Sequence, residues 1–164
     1  MNEIFHRTSI RTYKQDKVEQ EKIIKIFKAA MAAPSAGNQQ PWEYYVVSDH
    51  EVLNQLSKTS PYAGCVKNAP MAFVACYRSD CDMPEYAPID LSASVENMLL
   101  EADHLGLGAV WLGIAPLEER MKAVKQVIGI ADRVEPFAII PCGYPAKNSL
   151  QQDGFDQSKI HYVG

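Results

Sequence analysis

Between Asp90 and Leu105 the chain sets Leu91, Val95, Met98, Leu99 and Ala102 on one helical stripe and then meets Gly106. That spacing reads as a long amphipathic helix closed by a C′ glycine, and such a helix needs a core along its whole length. Every other apolar segment has to be arranged around it. Glu19–Ala32 repeats the pattern with Ile23, Ile26, Phe27, Ala30 and Met31 and should end near Pro34. Trp42–Val47 is aromatic and β-branched, and Ser48 and Asp49 then offer an N-cap for a short helix through Leu56. Met71–Tyr77, Ala109–Leu112 and Pro136–Ile140 read as short strands, Glu118–Val127 as a helix, and Cys142–Pro145 as a closing turn. The two kinds of element alternate, which predicts helices on both faces of a sheet and leaves strand order open.

The 164 residues, 47% hydrophobic and 22% charged, contain no repeat, linker or low-complexity block, so residues 1–164 are expected to form one domain. Sixteen basic and twenty acidic side chains leave a net charge of −4, which disfavours nucleic acid and anionic membrane surfaces as partners. An anionic ligand would need a local basic cluster. Met1–Arg11 is too polar for a secretory signal, and the longest nearly apolar run, Leu105–Leu117, is well short of the roughly 20 residues that cross a bilayer. Cys65, Cys76, Cys81 and Cys142 form no knuckle or disulfide pattern and read as reduced thiols, so a cytoplasmic location is expected. His6, His50, His104 and His161 have no ligand spacing with any cysteine, and no metal is expected. The tail from Ala146 to Gly164 is polar, with Gln151, Gln152 and Asp153 in a row; unable to build a core, it should fray or lie across another surface.

Three segments carry the candidate chemistry. In Arg7-Thr8-Ser9-Ile10-Arg11 an extended backbone puts Arg7, Ser9 and Arg11 on one side, two guanidiniums and a hydroxyl suited to a phosphate. In Ala33–Trp42, Pro34 and Pro41 stiffen the ends and Gly37 permits an unusual backbone angle, so that Ser35, Asn38 and Gln40 can be held rigidly toward a planar heterocycle. In Gly106–Gly113 the glycines follow a helix and end a strand, the reverse of a dinucleotide fingerprint; Gly113 instead suits close approach of a ligand to a strand end. There is no nucleophile elbow, Walker loop or recognisable carboxylate pair. Binding groups without an acid, base or nucleophile imply that a bound cofactor carries the chemistry.

The order of these segments, together with Asn68-Ala69-Pro70 and Gly143-Tyr144-Pro145, resembles the nitroreductase family of FMN-dependent oxidoreductases over nearly the whole chain. The resemblance implies an α+β fold: a central mixed or antiparallel sheet flanked by helices, in a homodimer whose tail, residues 146–164, extends onto the partner subunit. It implies that Arg7 and Ser9, with Thr8 alongside, hold the FMN phosphate and ribityl end, and that Arg11 lies near N1 and O2 of the ring. A fixed guanidinium there stabilises the reduced flavin more than the oxidised one and raises its potential. It further implies that Pro34, Ser35 and Asn38 meet the flavin of the partner subunit, and that the backbone at Leu112 and Gly113 points at N5. Gly154 stands where relatives often carry a phosphate-binding arginine, with Lys147 as the candidate replacement, so FMN should be held less tightly than in relatives that keep the arginine. The activity implied is ping-pong reduction of nitroaromatic or quinone-type acceptors by NADH or NADPH through hydride transfer at N5. Two rivals are reductive dehalogenation or flavin breakdown on the same fold, and a flavin- or nucleotide-binding module without turnover. The few residues between Tyr77 and Pro88 give little material for a lid, which favours a permissive site over a selective dehalogenase.

Overall fold

The computed structural model describes residues 3–147, 150–151 and 153–164; Gln152, and Met1 at the polar start, lie outside the described residues. Ten elements follow one another: α1 (Glu3–His6), α2 (Gln20–Met31), β1 (Trp42–Val47), α3 (His50–Leu56), β2 (Met71–Arg78), α4 (Ala87–His104), β3 (Gly108–Ala109), β4 (Leu112–Gly113), α5 (Glu118–Ile128) and β5 (Val134–Gly143). The sheet runs β1-β2-β5-β3 with β4 also on β5, and every strand pair is antiparallel. Among the described residues the one parallel contact is an isolated bridge, Ser9 to Ala109.

Alternation along the strands divides the core in two. Met71, Phe73 and Ala75 face α2 and α4, while Ala72, Val74 and Cys76 face α3, α5 and a 3₁₀ turn over Ala63–Asn68. Helices therefore cover both faces, as expected. α4 buries Leu91, Val95, Met98, Leu99 and Ala102, the stripe seen in the sequence, and Gly106 follows it with φ 73°. Asp49 caps α3 by accepting from the Val52 N–H at 3.0 Å.

Several expectations need correction. α4 begins at Ala87 rather than Asp90, with Pro88 in its first turn, where a missing N–H costs nothing. β5 extends beyond Pro136–Ile140 at both ends, because Val134 and Cys142 are buried and paired to Arg78 and Met71. The expected strand Ala109–Leu112 is two short pieces, β3 and β4, whose common register on β5 brings the gap opposite Ile140 and Pro141, and Pro141 has no N–H to give. The polar start was not expected to form α1. Where β2 meets β5 the register slips between Ala75 and Cys76, leaving Phe137 as an extra residue in β5. This bulge turns Phe137 and Ala138 to the same core. Among the described residues no helix is long and apolar enough to cross a membrane, and all four cysteines are free.

Candidate functional site

The edge of the sheet beyond β5 is where the expected residues gather. Ser9 bridges Ala109 in the parallel sense, and the Ile10 N–H donates to the Ala109 carbonyl at 3.0 Å. Residues 7–11 therefore run beside β3 in the direction of β4. The contact is close: a Cβ on Gly108 would lie 2.7 Å from Ile10 Cβ. Tyr13 pins the far end, its buried hydroxyl donating to the Ile10 carbonyl and to the Pro141 carbonyl, 3.1 Å away. Burial pushes that phenol well above its ordinary value, so it stays a donor.

Extended geometry separates the side chains as predicted, yet Arg7, Ser9 and Arg11 do not converge on one point. Arg11 is exposed and turns back to the Ser9 carbonyl at 3.4 Å. Arg7 is half-buried, with Nε 3.5 Å from Glu96 on α4. A nearby acid on a neighbouring helix, invisible at five-residue range, took one of the three donors. Upstream, α1 is tied to the end of α4 by two exposed pairs, His6 Nδ1 to Asp103 at 2.8 Å and His104 Nδ1 to Glu3 at 2.8 Å. Glu3 lifts the His104 ring above its ordinary value, and His104 holds the Glu3 carboxyl below its own.

Gly113 is exposed, and a Cβ built on it would meet nothing within 4 Å. Leu112 beside it is buried against Ile139. The Ile114 N–H donates to the Phe137 carbonyl at 3.0 Å, which makes the Ile114/Phe137 position a bonded pair. By the two-residue alternation of an antiparallel ladder, Leu112/Ile139 is the next bonded pair, so Gly113 turns its N–H and carbonyl away from β5. That carbonyl accepts from Arg120 of α5 at 3.3 Å. A flat ligand can thus lie on Gly113 and meet an N–H.

The loop from Pro34 to Pro41 is rigid for a reason the sequence did not reveal. Gly37 takes φ 56°, and so does Asn38, followed by Gln40 at 46°, backbone that non-glycine residues adopt only when surroundings enforce it. Asp90, only 5% exposed, enforces it from the first turn of α4. Its carboxylate accepts from the Ala36 N–H at 2.9 Å and from Gln39 Nε2 at 2.8 Å. Gln39 also exchanges two hydrogen bonds with the Met83 backbone, 2.9 and 3.0 Å, and Ser35 Oγ accepts from the Gln40 N–H at 3.0 Å. Pro34, Ser35 and Asn38 are thereby presented outward together. They are not beside residues 7–11. Asp90, which holds the loop, and Asp103, beside Thr8, are thirteen residues apart on α4, about 20 Å at helical rise.

Thr8 and Lys147 do meet, in a cavity of about 340 Å³ lined also by His6, Lys14, Asp103 and Tyr144. The donor set suits FMN: cations and a hydroxyl for a phosphate at one end, the Arg11 guanidinium further along the same edge, and an open Gly113 with an outward N–H beyond it. Gln39 and Asp90, which hold the loop, and Arg120, which bonds the Gly113 carbonyl, had no role in the sequence reading, and Lys14 counted there only as one cation of a basic stretch.

A sequence profile of the nitroreductase family matches residues 4–60 and 57–144. A protein of Archaeoglobus fulgidus with the provisional name NADH dehydrogenase/NAD(P)H nitroreductase is 42% identical over 166 residues, covering 96% of this chain and 94% of its own. Among solved structures, one provisionally named an NADH oxidase, from Clostridium acetobutylicum, superposes with a TM-score of 0.94 at 46% identity, covering 97% of both chains. An FMN-dependent nitroreductase from Clostridium difficile gives 0.92 at 30% identity over 99% of this chain and 98% of the other.

Proposed function

Because the chain belongs to the nitroreductase family, we propose that it is an FMN-dependent oxidoreductase. It uses NADH or NADPH to reduce nitroaromatic or quinone-type acceptors in a ping-pong cycle. The observation that carries this is the sheet edge itself, where Arg11 and the outward N–H of Gly113 follow one another along a surface left open above the glycine. Bound FMN would supply the two-electron chemistry between a reduced nicotinamide and the acceptor.

The protein's own residues do the rest. Arg11 offers a permanent positive charge where a reduced ring gathers negative charge, which favours reduction. The outward Gly113 N–H would hold the flavin ring, and the buried Leu112 fixes that N–H by its pairing with Ile139. Thr8, Ser9 and Lys147 take the phosphate and ribityl end. The role expected of Arg7 requires its guanidinium to leave Glu96 or to bridge from it.

Pro34, Ser35 and Asn38 serve the flavin of a second subunit. The separation of about 20 Å along α4 supports this, since one chain's loop and N-terminal segment stand at opposite ends of that helix. The described part of the tail also supports a homodimer: Phe155, Tyr162 and Val163 are exposed apolar residues with no core of their own. Four free thiols support a cytoplasmic setting. The segment between β2 and α4 is short and tied through Met83 to Gln39, so it is not a free lid, which favours a permissive reductase over a specialised dehalogenase.

Initial rates with NADPH and a quinone varied together test the cycle. Parallel double-reciprocal lines are expected, and lines that intersect would contradict it.

A further inference from the structure

Lys14 lies outside every motif singled out in the sequence, yet the fold delivers it to the cavity beside Thr8. Tyr13 and Pro145 form an antiparallel bridge. On either side of it the Lys14 N–H donates to the Tyr144 carbonyl at 2.8 Å and the Ala146 N–H to the Thr12 carbonyl at 3.0 Å. Two segments 130 residues apart are thus laced together, and each contributes one lysine, Lys14 and Lys147, to the wall of the same cavity of about 340 Å³. Among the described residues Asp103 is the only carboxylate in that wall, and both of its oxygens accept from His6 Nδ1 at 2.9 and 2.8 Å. Neither lysine has an acidic partner within 4.0 Å among the described residues. Gly154 is elsewhere, in a groove with Ile4, Phe5 and Phe155.

The cavity therefore holds two ammonium groups and the Thr8 hydroxyl beside a single carboxylate already bonded to His6, an excess of positive charge to set against a phosphate monoester of about −1.5 to −2 charge at neutral pH. Its place at the start of the 7–11 segment, with Arg11 and Gly113 farther along, sets its ligand at one end of the proposed flavin site. Taking the FMN assignment as its basis, we propose that Lys14 closes a two-lysine clamp with Lys147 on the FMN phosphate and decides the retention of FMN over riboflavin. The clamp is set by the bridge at Tyr13, which joins Lys14 to the first residues of the tail.

The test is binding of FMN and of riboflavin to cofactor-free protein, read by flavin fluorescence, for wild type, Lys14→Met, Lys14→Arg and Lys147→Met. Lys14 is exposed and its backbone bond does not depend on the side chain, so Lys14→Met should fold. It should weaken FMN about tenfold or more, as loss of one charge-assisted contact does, and leave riboflavin within about twofold. Lys14→Arg should restore most of the FMN affinity, and Lys147→Met should behave like Lys14→Met. Equal loss for both flavins, or no loss for FMN, overturns the clamp while leaving the FMN assignment standing. A change confined to KM for NADPH, with FMN affinity intact, also overturns it, by giving the cavity to the phosphate of the electron donor. Wild-type protein that binds neither flavin overturns the FMN assignment and the clamp with it.

Discussion

Replacing Asp90 with asparagine keeps the shape of the side chain and removes one of its two acceptor oxygens. The carboxylate now satisfies the Ala36 N–H and Gln39 Nε2 at once. An asparagine amide can satisfy only one of them, and turns an NH₂ toward the other. Gln39 has no escape, because rotating its amide would break both bonds to Met83. One charge-assisted bond is lost and a buried donor is left facing a donor, which should cost about 2–3 kcal/mol. In a domain of this size that corresponds to a fall in Tm of about 4–12 °C. Urea unfolding of cofactor-free protein at fixed concentration measures it directly, and a cycle with Gln39→Ala should show strong coupling between the two positions. A loss below about 0.5 kcal/mol, or simple additivity with Gln39→Ala, would refute the view that Asp90 shapes this loop from within the fold.

Gly113→Ala should leave stability within about 0.5 kcal/mol, since its Cβ enters open space, yet weaken FMN binding by occupying the ring's place. Gly143→Ala should do the reverse, costing about 1–3 kcal/mol because its Cβ would lie 2.6 Å from Pro70; chemical denaturation and flavin titration of both variants separate the effects. The α1–α4 clasp should respond to pH. The raised His104 makes its contribution fully below the ordinary value of 6.5 and loses it as pH rises through the raised one. The lowered Glu3 contributes fully above 4.5 and loses this as pH falls through its depressed value. Exchange of the Arg7 amide, which donates to the Glu3 carbonyl at 2.8 Å, should therefore, corrected for intrinsic rates, be slowest between these values and faster at pH 9. His104→Gln should flatten the alkaline change, and an unaltered profile in that variant would contradict the pairing.

Local signals reported local structure well. The stripe of α4, the cap of α3 by Asp49 and the whole of β1 were legible because spacing and capping act within a few residues. The two-piece edge strand was not, because Pro141, the partner that interrupts it, is about thirty residues away. The bulge at Phe137 was hidden for the same reason, since it exists only in register with Cys76. Thr8, Arg11 and Gly113 lie along the sheet edge that their motifs pointed to. Asp90 looked like a helix start because its partners are 54 and 51 residues distant. Lys14 looked like one more surface cation because the bridge that aims it joins Tyr13 to Pro145. Arg7 was legible as a cation at a motif, but its pairing with Glu96 was not, because that acid reaches it from α4.

The most direct test of the account is a visible spectrum of FMN-loaded protein under nitrogen, first with NADH, then with NADPH, and finally with a quinone. The flavin band should bleach on addition of at least one nucleotide and return with the quinone. Flavin that stays oxidised through both additions would contradict it.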